Sequence, residues 1–210
     1  AMDASYGLMA LPFALFVVPW PQAHLWPIFA GAWAIHTVYK VLQAMAFTRG
    51  AYTVVYPVVR GSGPFFTVIG AYLLFGEVFT VGQWFGVAVL ICGIFGLAVY
   101  NMRTVTLERE TLGLALALAL FTGFFVAFYT TYDAYGIRAA ADPFTFLAWF
   151  FVIDSWSMPI VALVYARRKG IALARQGLMW RAPIGGLVAM ASFGAILLAT
   201  RLDKVGEAAV

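Results

Sequence analysis

Seven apolar runs, at about 4–20, 25–48, 52–75, 84–102, 112–136, 144–166 and 182–201, follow one another along the 210 residues with mostly short connections between them. A helix needs about 20 apolar residues to cross the ~30 Å hydrocarbon layer of a bilayer. With no water there to pair with backbone amides, each segment has to satisfy its own hydrogen bonds as a helix. The pattern therefore predicts an all-α fold, a polytopic transmembrane helical bundle of seven helices, with residues 205–210 beginning another. Composition agrees: 10% of residues are charged and the mean hydropathy is +0.92, against roughly 25% charged in a soluble domain.

The polar residues then set orientation and exclude function classes. The stretch 167–181 carries Arg167, Arg168, Lys169, Arg175 and Arg181 and no acid, which predicts that it faces the cytoplasm. Counting alternate connections places Arg49, Arg103 and Arg109 on the same side and leaves Arg138, Arg201 and Lys204 opposite. Because the basic residues fall in connections, the net charge of +4 does not point to nucleic acid. Cys92 is the only cysteine, and its place in an apolar run predicts packing rather than a disulfide or a metal site. The two histidines, twelve residues apart, belong to no metal-binding helix signature, and no paired catalytic acid and base is visible. The reading is of a non-enzyme that needs neither metal nor cofactor. Residues 1–20 lack a basic start followed by a small-residue cleavage site, so the first span is expected to serve as the targeting element.

Charges inside the apolar runs are the functional signal. Lys40 and Arg60 lie ten residues either side of Gly50, which puts both ~12 to 15 Å from that turn, near mid-membrane. A cation there costs at least ~2.5 kcal/mol and usually faces a cavity or a counter-ion. Trp33, His36, Lys40, Gln43 and Phe47, with Tyr39 beside them, form one polar and aromatic stripe at helical spacing. The next run holds Tyr56-Pro57-Val58-Val59-Arg60-Gly61-Ser62-Gly63-Pro64. Two prolines and two glycines in nine residues predict an interruption of the helix near mid-depth, as at transporter binding sites. Asp154, also near mid-depth, is the candidate counter-ion for Lys40 or Arg60 or a proton-coupling group. Asp133 with Tyr132 is expected near a membrane edge within reach of water, as a gate or helix-end group. Gly82, Gly86, Gly93 and Gly96 predict a small-residue face for close helix packing.

An internal repeat at an offset of 152 residues pairs Thr48-Arg49 with Thr200-Arg201 and Val58 with Val210. His36, Lys40 and Gln43 meet Val188, Ser192 and Ala195 at that offset, so the polar work falls on the first half. The stretches Ala44-Met45-Ala46-Phe47-Thr48-Arg49-Gly50-Ala51, Tyr56-Pro57-Val58-Val59-Arg60-Gly61 and Leu74-Phe75-Gly76-Glu77 resemble the EamA-type permeases of the drug/metabolite transporter superfamily. Gln83-Trp84-Phe85-Gly86, Tyr129 to Gly136 and Arg201 to Val210 continue the likeness. The resemblance implies inverted five-helix repeats around a central cavity, truncated at both ends. Residues 1–102 would be the first repeat without its first helix, and 112–210 the second without most of its last two. It also implies alternating access. A cytoplasmic amino terminus, as in some members, would place 167–181 outside, against its five cations.

These observations lead to the expectation of a multi-pass carrier of the cell (inner) membrane. It would move a small metabolite with a carboxylate or other anionic group, bound by Lys40 and Arg60 and oriented by His36, Tyr39, Gln43 and Tyr56. Asp154 would serve as counter-ion or proton-coupling group, and Glu77, Tyr132 and Asp133 as gate or helix-end residues. The partners expected are the small-molecule substrate and the lipid bilayer, with a homodimer left open and nucleic acid excluded. Two other readings remain: a proton-coupled exporter of cationic compounds using Asp154, and a non-transporting membrane subunit or lipid-modifying enzyme.

Overall fold

The computed structural model describes residues 2–104, 109–170 and 178–205. Among them every regular element is a helix: α1 Met2–Phe16, α2 Leu25–Phe47, α3 Tyr52–Phe75, α4 Val81–Thr104, α5 Arg109–Ala139, α6 Pro143–Asp154, α7 Ser157–Lys169 and α8 Leu178–Leu202. Arg175 and residues 206–210, on which part of the charge count and of the repeat depends, lie outside the described residues.

The ends of these helices follow from local chemistry. Thr80 and Gln83 form a reciprocal cap before α4: Gln83 Oε1 accepts from the Thr80 amide at 2.7 Å, and the Gln83 amide donates to Thr80 Oγ1 at 3.3 Å. Asp142 caps α6 by accepting from the Thr145 amide at 2.7 Å, with Pro143 opening the helix. At the end of α3, Gly76 takes φ 65°, and Glu77 donates back to the Ala71 carbonyl at 3.3 Å. Only glycine enters that left-handed region without strain.

Two expectations about helix breaks are reversed. α3 runs unbroken through Pro57 and Pro64. Pro57 and residues between the two prolines, Gly61, Ser62 and Gly63 among them, are buried, so tertiary packing carries the helix across both prolines. The run 144–166, expected as one helix, is divided at Ser155 and Trp156 into α6 and α7. Pro159 has no amide to give the Ser155 carbonyl, and its ring crowds that carbonyl. The break falls beside Asp154, in the middle of a segment otherwise apolar enough to cross a bilayer.

Among the described residues, four segments are long and apolar enough to cross a membrane: Tyr52–Phe75, Gly113–Ala139, Pro143–Lys169 and Arg181–Leu202. α2 has the length, at 23 residues, but its polar stripe keeps it out of this set. Phe16, Leu73, Phe85, Leu187 and Val188 are exposed large apolar residues. An apolar outer surface of that kind suits lipid rather than water. The chain is a membrane protein built of helices.

Helix packing divides the chain into two units, residues 1–37 with 133–202 and residues 38–132 with 203–210. In unit 1, α1 packs on α6, α7 and α8, and α6 on α8. In unit 2, α3 packs on α4, and Ala46, Val55, Val58, Val59, Ala115 and Ala119 form a buried core. A grouping by contacts says nothing about an ancestral repeat, whose halves were drawn at 1–102 and 112–210.

The closest helix approaches use glycines other than those anticipated. A Cβ on Gly123 would lie 1.9 Å from Ser62 Oγ, and one on Gly7 would lie 2.1 Å from Ser155 Oγ. At Gly86, Gly93 and Gly96 a Cβ would meet nothing within 4 Å among the described residues. The anticipated packing face of α4 is open, and Cys92 on the same helix is exposed rather than packed.

Candidate functional site

In unit 2, α2, α3 and α5 bring together much of the predicted binding set. The Tyr39 hydroxyl is hydrogen-bonded to Gln43 and Tyr129 and feels the positive charges of Arg60 and Lys40. The Tyr39 and Tyr129 rings lie 4.9 Å apart between centroids. Lys40 and Gln43 are half-buried, whereas Arg60 is exposed. Its neighbours Val59 and Gly61 are buried, so the guanidinium stands on the outward face of a helix whose other face is packed. Tyr56, one turn earlier, is exposed and stacks on Tyr52 at 5.0 Å. Two cations, two phenols and an amide form a donor-rich set suited to an oxyanion.

His36 belongs to unit 1. Its Nε2 lies 2.7 Å from Asp133 Oδ2, and its ring meets those of Phe150 at 5.1 Å and Phe193 at 5.8 Å. Asp133 is only 1% exposed, so the expectation that it reaches water is corrected. α5 turns it inward against α2 instead.

Asp154 is likewise buried and accepts a hydrogen bond from the Tyr6 hydroxyl of α1. Asp3 also hydrogen-bonds Tyr6. Neither α1 residue was singled out in the sequence, although their spacing of three on an otherwise apolar helix is the signal that was there to find. Glu77 stands at a helix end as expected: its Oε1 accepts from the Val205 amide at 2.7 Å. Beside it, Lys204 donates to the Val78 carbonyl at 3.2 Å. Tyr132 is half-buried on α5. Among the described residues no three His, Cys, Asp or Glu side chains converge on a metal position.

No family model matches the chain, and no solved structure matches it. It is similar to the Uncharacterized protein y4nH of Sinorhizobium fredii, with 35% identity over 74 residues, which make up 35% of this chain and 63% of that protein. The chain thus spans less than two thirds of the length of that relative.

Proposed function

We propose that the chain is a carrier, or a large part of one, for small metabolites bearing a carboxylate or another oxyanion. This is the activity implied by its resemblance to EamA-type permeases of the drug/metabolite transporter superfamily. The observation that carries the reading is the gathering of Lys40, Gln43 and Arg60 around the Tyr39 hydroxyl. An exposed arginine far inside a membrane-crossing helix cannot face lipid cheaply, so Arg60 calls for a wet chamber beside α3. There the guanidinium offers two parallel donors to an oxyanion and Lys40 adds a point charge. A multi-pass arrangement in the inner membrane, with 167–181 on the cytoplasmic side, belongs to the same proposal.

The test is a thermal-shift screen of the purified chain in detergent, followed by uptake into proteoliposomes. The panel holds mono-, di- and tricarboxylates, sugar phosphates and alkyl sulfonates, with neutral methyl esters and quaternary ammonium compounds as controls. A ligand that binds only the folded state raises the melting temperature with its concentration. Stabilisation by an anion, lost in Lys40→Gln and Arg60→Gln, supports the reading. Stabilisation by cations alone, unchanged in those variants and lost in Asp154→Asn, overturns it in favour of a cation exporter.

A further inference from the structure

The polar grouping that an anion site leaves unused lies in unit 1. His36 and Asp133 are 5% and 1% exposed and in hydrogen-bond contact. Asp133 Oδ1 is buried and meets no hydrogen-bond partner among the described residues. Asp154, reaching in from α6, acts on Asp133 electrostatically and is held by Tyr6, which Asp3 also bonds. The rings of Phe150 and Phe193 close around His36.

We propose that His36 and Asp133 form a proton-binding dyad in the membrane-embedded core, taking up and releasing one proton as the protein works. As a proton site the dyad stands on its geometry. As the coupling site of a carrier it rests on the transport reading above.

The argument is one of charge. Apolar surroundings favour a net-neutral pair, and the neutral state of this pair is the one holding a single proton. That proton sits either on the imidazole facing a carboxylate or on the carboxyl facing a neutral imidazole. It passes between them across the 2.7 Å contact with no change in net charge. Losing it leaves a buried negative charge next to Asp154, and gaining a second leaves a positive one. Exchange is therefore tied to a change in what surrounds the dyad, which is the property a coupling site needs. The proton comes from bulk water and returns there, and only N–H and O–H bonds form or break.

Asp154 comes from α6, with Tyr6 and Asp3 of α1 behind it. α8 presents Phe193. On α5 itself, Arg138 directs its guanidinium to the Thr200 carbonyl at 2.8 Å. A clip between helices would need the hydrogen bond alone. The second, unpartnered carboxylate oxygen gives an incoming proton somewhere to land.

The chain has two histidines, so a nitrogen-15 histidine spectrum of the full chain in nanodiscs shows two imidazoles, and His36→Gln assigns them. His24, which is exposed, is the internal reference. Spectra are recorded between about pH 4 and 10, and the expected result is that the His36 signal responds to pH in the wild-type chain and responds differently in Asp133→Asn. A His36 signal that keeps one protonation state over that range in the wild-type chain, or titrates identically in Asp133→Asn, overturns the proposal. The wild-type titration decides even if the variant fails to fold. In pyranine-loaded proteoliposomes given the anion panel, proton entry accompanying an anion, lost in Asp133→Asn, supports the coupling role. Anion entry without protons overturns that role. A titrating dyad with no anion flux at all leaves the proton site standing and sinks the transport reading.

Discussion

Arg138 and Arg201 each hold the end of the other's helix. The Arg138 Nε donates to the Thr200 carbonyl of α8 at 2.8 Å, while Arg201 Nη1 donates to the Ile137 and Ala140 carbonyls at the end of α5 at 2.7 and 2.8 Å. The last carbonyls of a helix have no partner within it and carry its negative dipole end, so a cation there satisfies both needs. The sequence placed both among the cations of the less basic side.

Arg201→Ala should destabilise unit 1, because two buried-end carbonyls lose a charged donor. Hydrogen bonds from charged groups contribute about 1.5 to 3 kcal/mol. Arg201→Lys should recover only part of the loss, since an ammonium cannot reproduce the fork. Thermal unfolding in detergent checks the order wild type, Lys, Ala; an Arg201→Ala chain as stable as wild type contradicts the capping role.

Asp142 predicts an acid-sensitive helix start. Its partial burial pushes the carboxyl up, but hydrogen bonds from the Thr145 hydroxyl and amide and the Phe144 amide, with the charge of Arg201 nearby, outweigh this and hold it below its ordinary value of about 3.8. A carboxylate lowered by folding stabilises the protein above its unfolded value, and that contribution disappears as pH falls through the folded one. Asp142→Asn should keep the cap yet flatten the stability loss below about pH 4, and Asp142→Ala should cost about 1 kcal/mol at neutral pH. Melting curves from pH 3 to 7 test both; identical acid profiles for wild type and Asn would rule out the assignment.

The helices were legible because hydrophobic runs of 20 residues dominate any competing signal. The limits of α2, α3 and α8 fall close to those expected, and Gln43, Arg60 and Lys40 all act on the Tyr39 hydroxyl. What could not be read was which face of each helix meets which neighbour. His36 lies one turn from Lys40 yet belongs with its partner Asp133 to unit 1, whereas Lys40 belongs to unit 2, and Asp133 looked peripheral because depth along a helix says nothing about burial around it. The breaks were misassigned for a related reason: proline propensity is local, whereas the packing that carries α3 across Pro57 and Pro64 comes from its surroundings.

The glycines give a contrast that the sequence alone ranked the other way. Gly123→Ala would drive a methyl into Ser62 Oγ and to 3.2 Å from the Gly63 amide nitrogen, and overpacking of that kind costs about 1 to 3 kcal/mol. Gly93→Ala meets nothing within 4 Å among the described residues, and alanine favours a helix by about 1 kcal/mol over glycine. Unfolding of the two variants in detergent should therefore move in opposite directions. A Gly93→Ala chain that is strongly destabilised or changes mass on a sizing column would instead mean that the open face of α4 is covered by a second copy.

Arg60 separates shape from charge in the proposed anion site. Lysine preserves the charge at that position but replaces two fixed parallel donors with a mobile ammonium. If the guanidinium clamps an oxyanion, Arg60→Lys loses one oriented charged hydrogen bond, about 1.5 kcal/mol, which is on the order of a tenfold loss in affinity. If Arg60 only supplies positive potential, the variant transports normally and Arg60→Gln alone is impaired. Tyr39→Phe sharpens the comparison, because it removes the hydroxyl shared by Gln43 and Tyr129 without altering charge. Uptake of the best-bound panel anion as a function of concentration decides: a clamp raises the half-saturation in both Arg60→Lys and Tyr39→Phe, whereas wild-type half-saturation in Arg60→Lys removes the clamp from the mechanism.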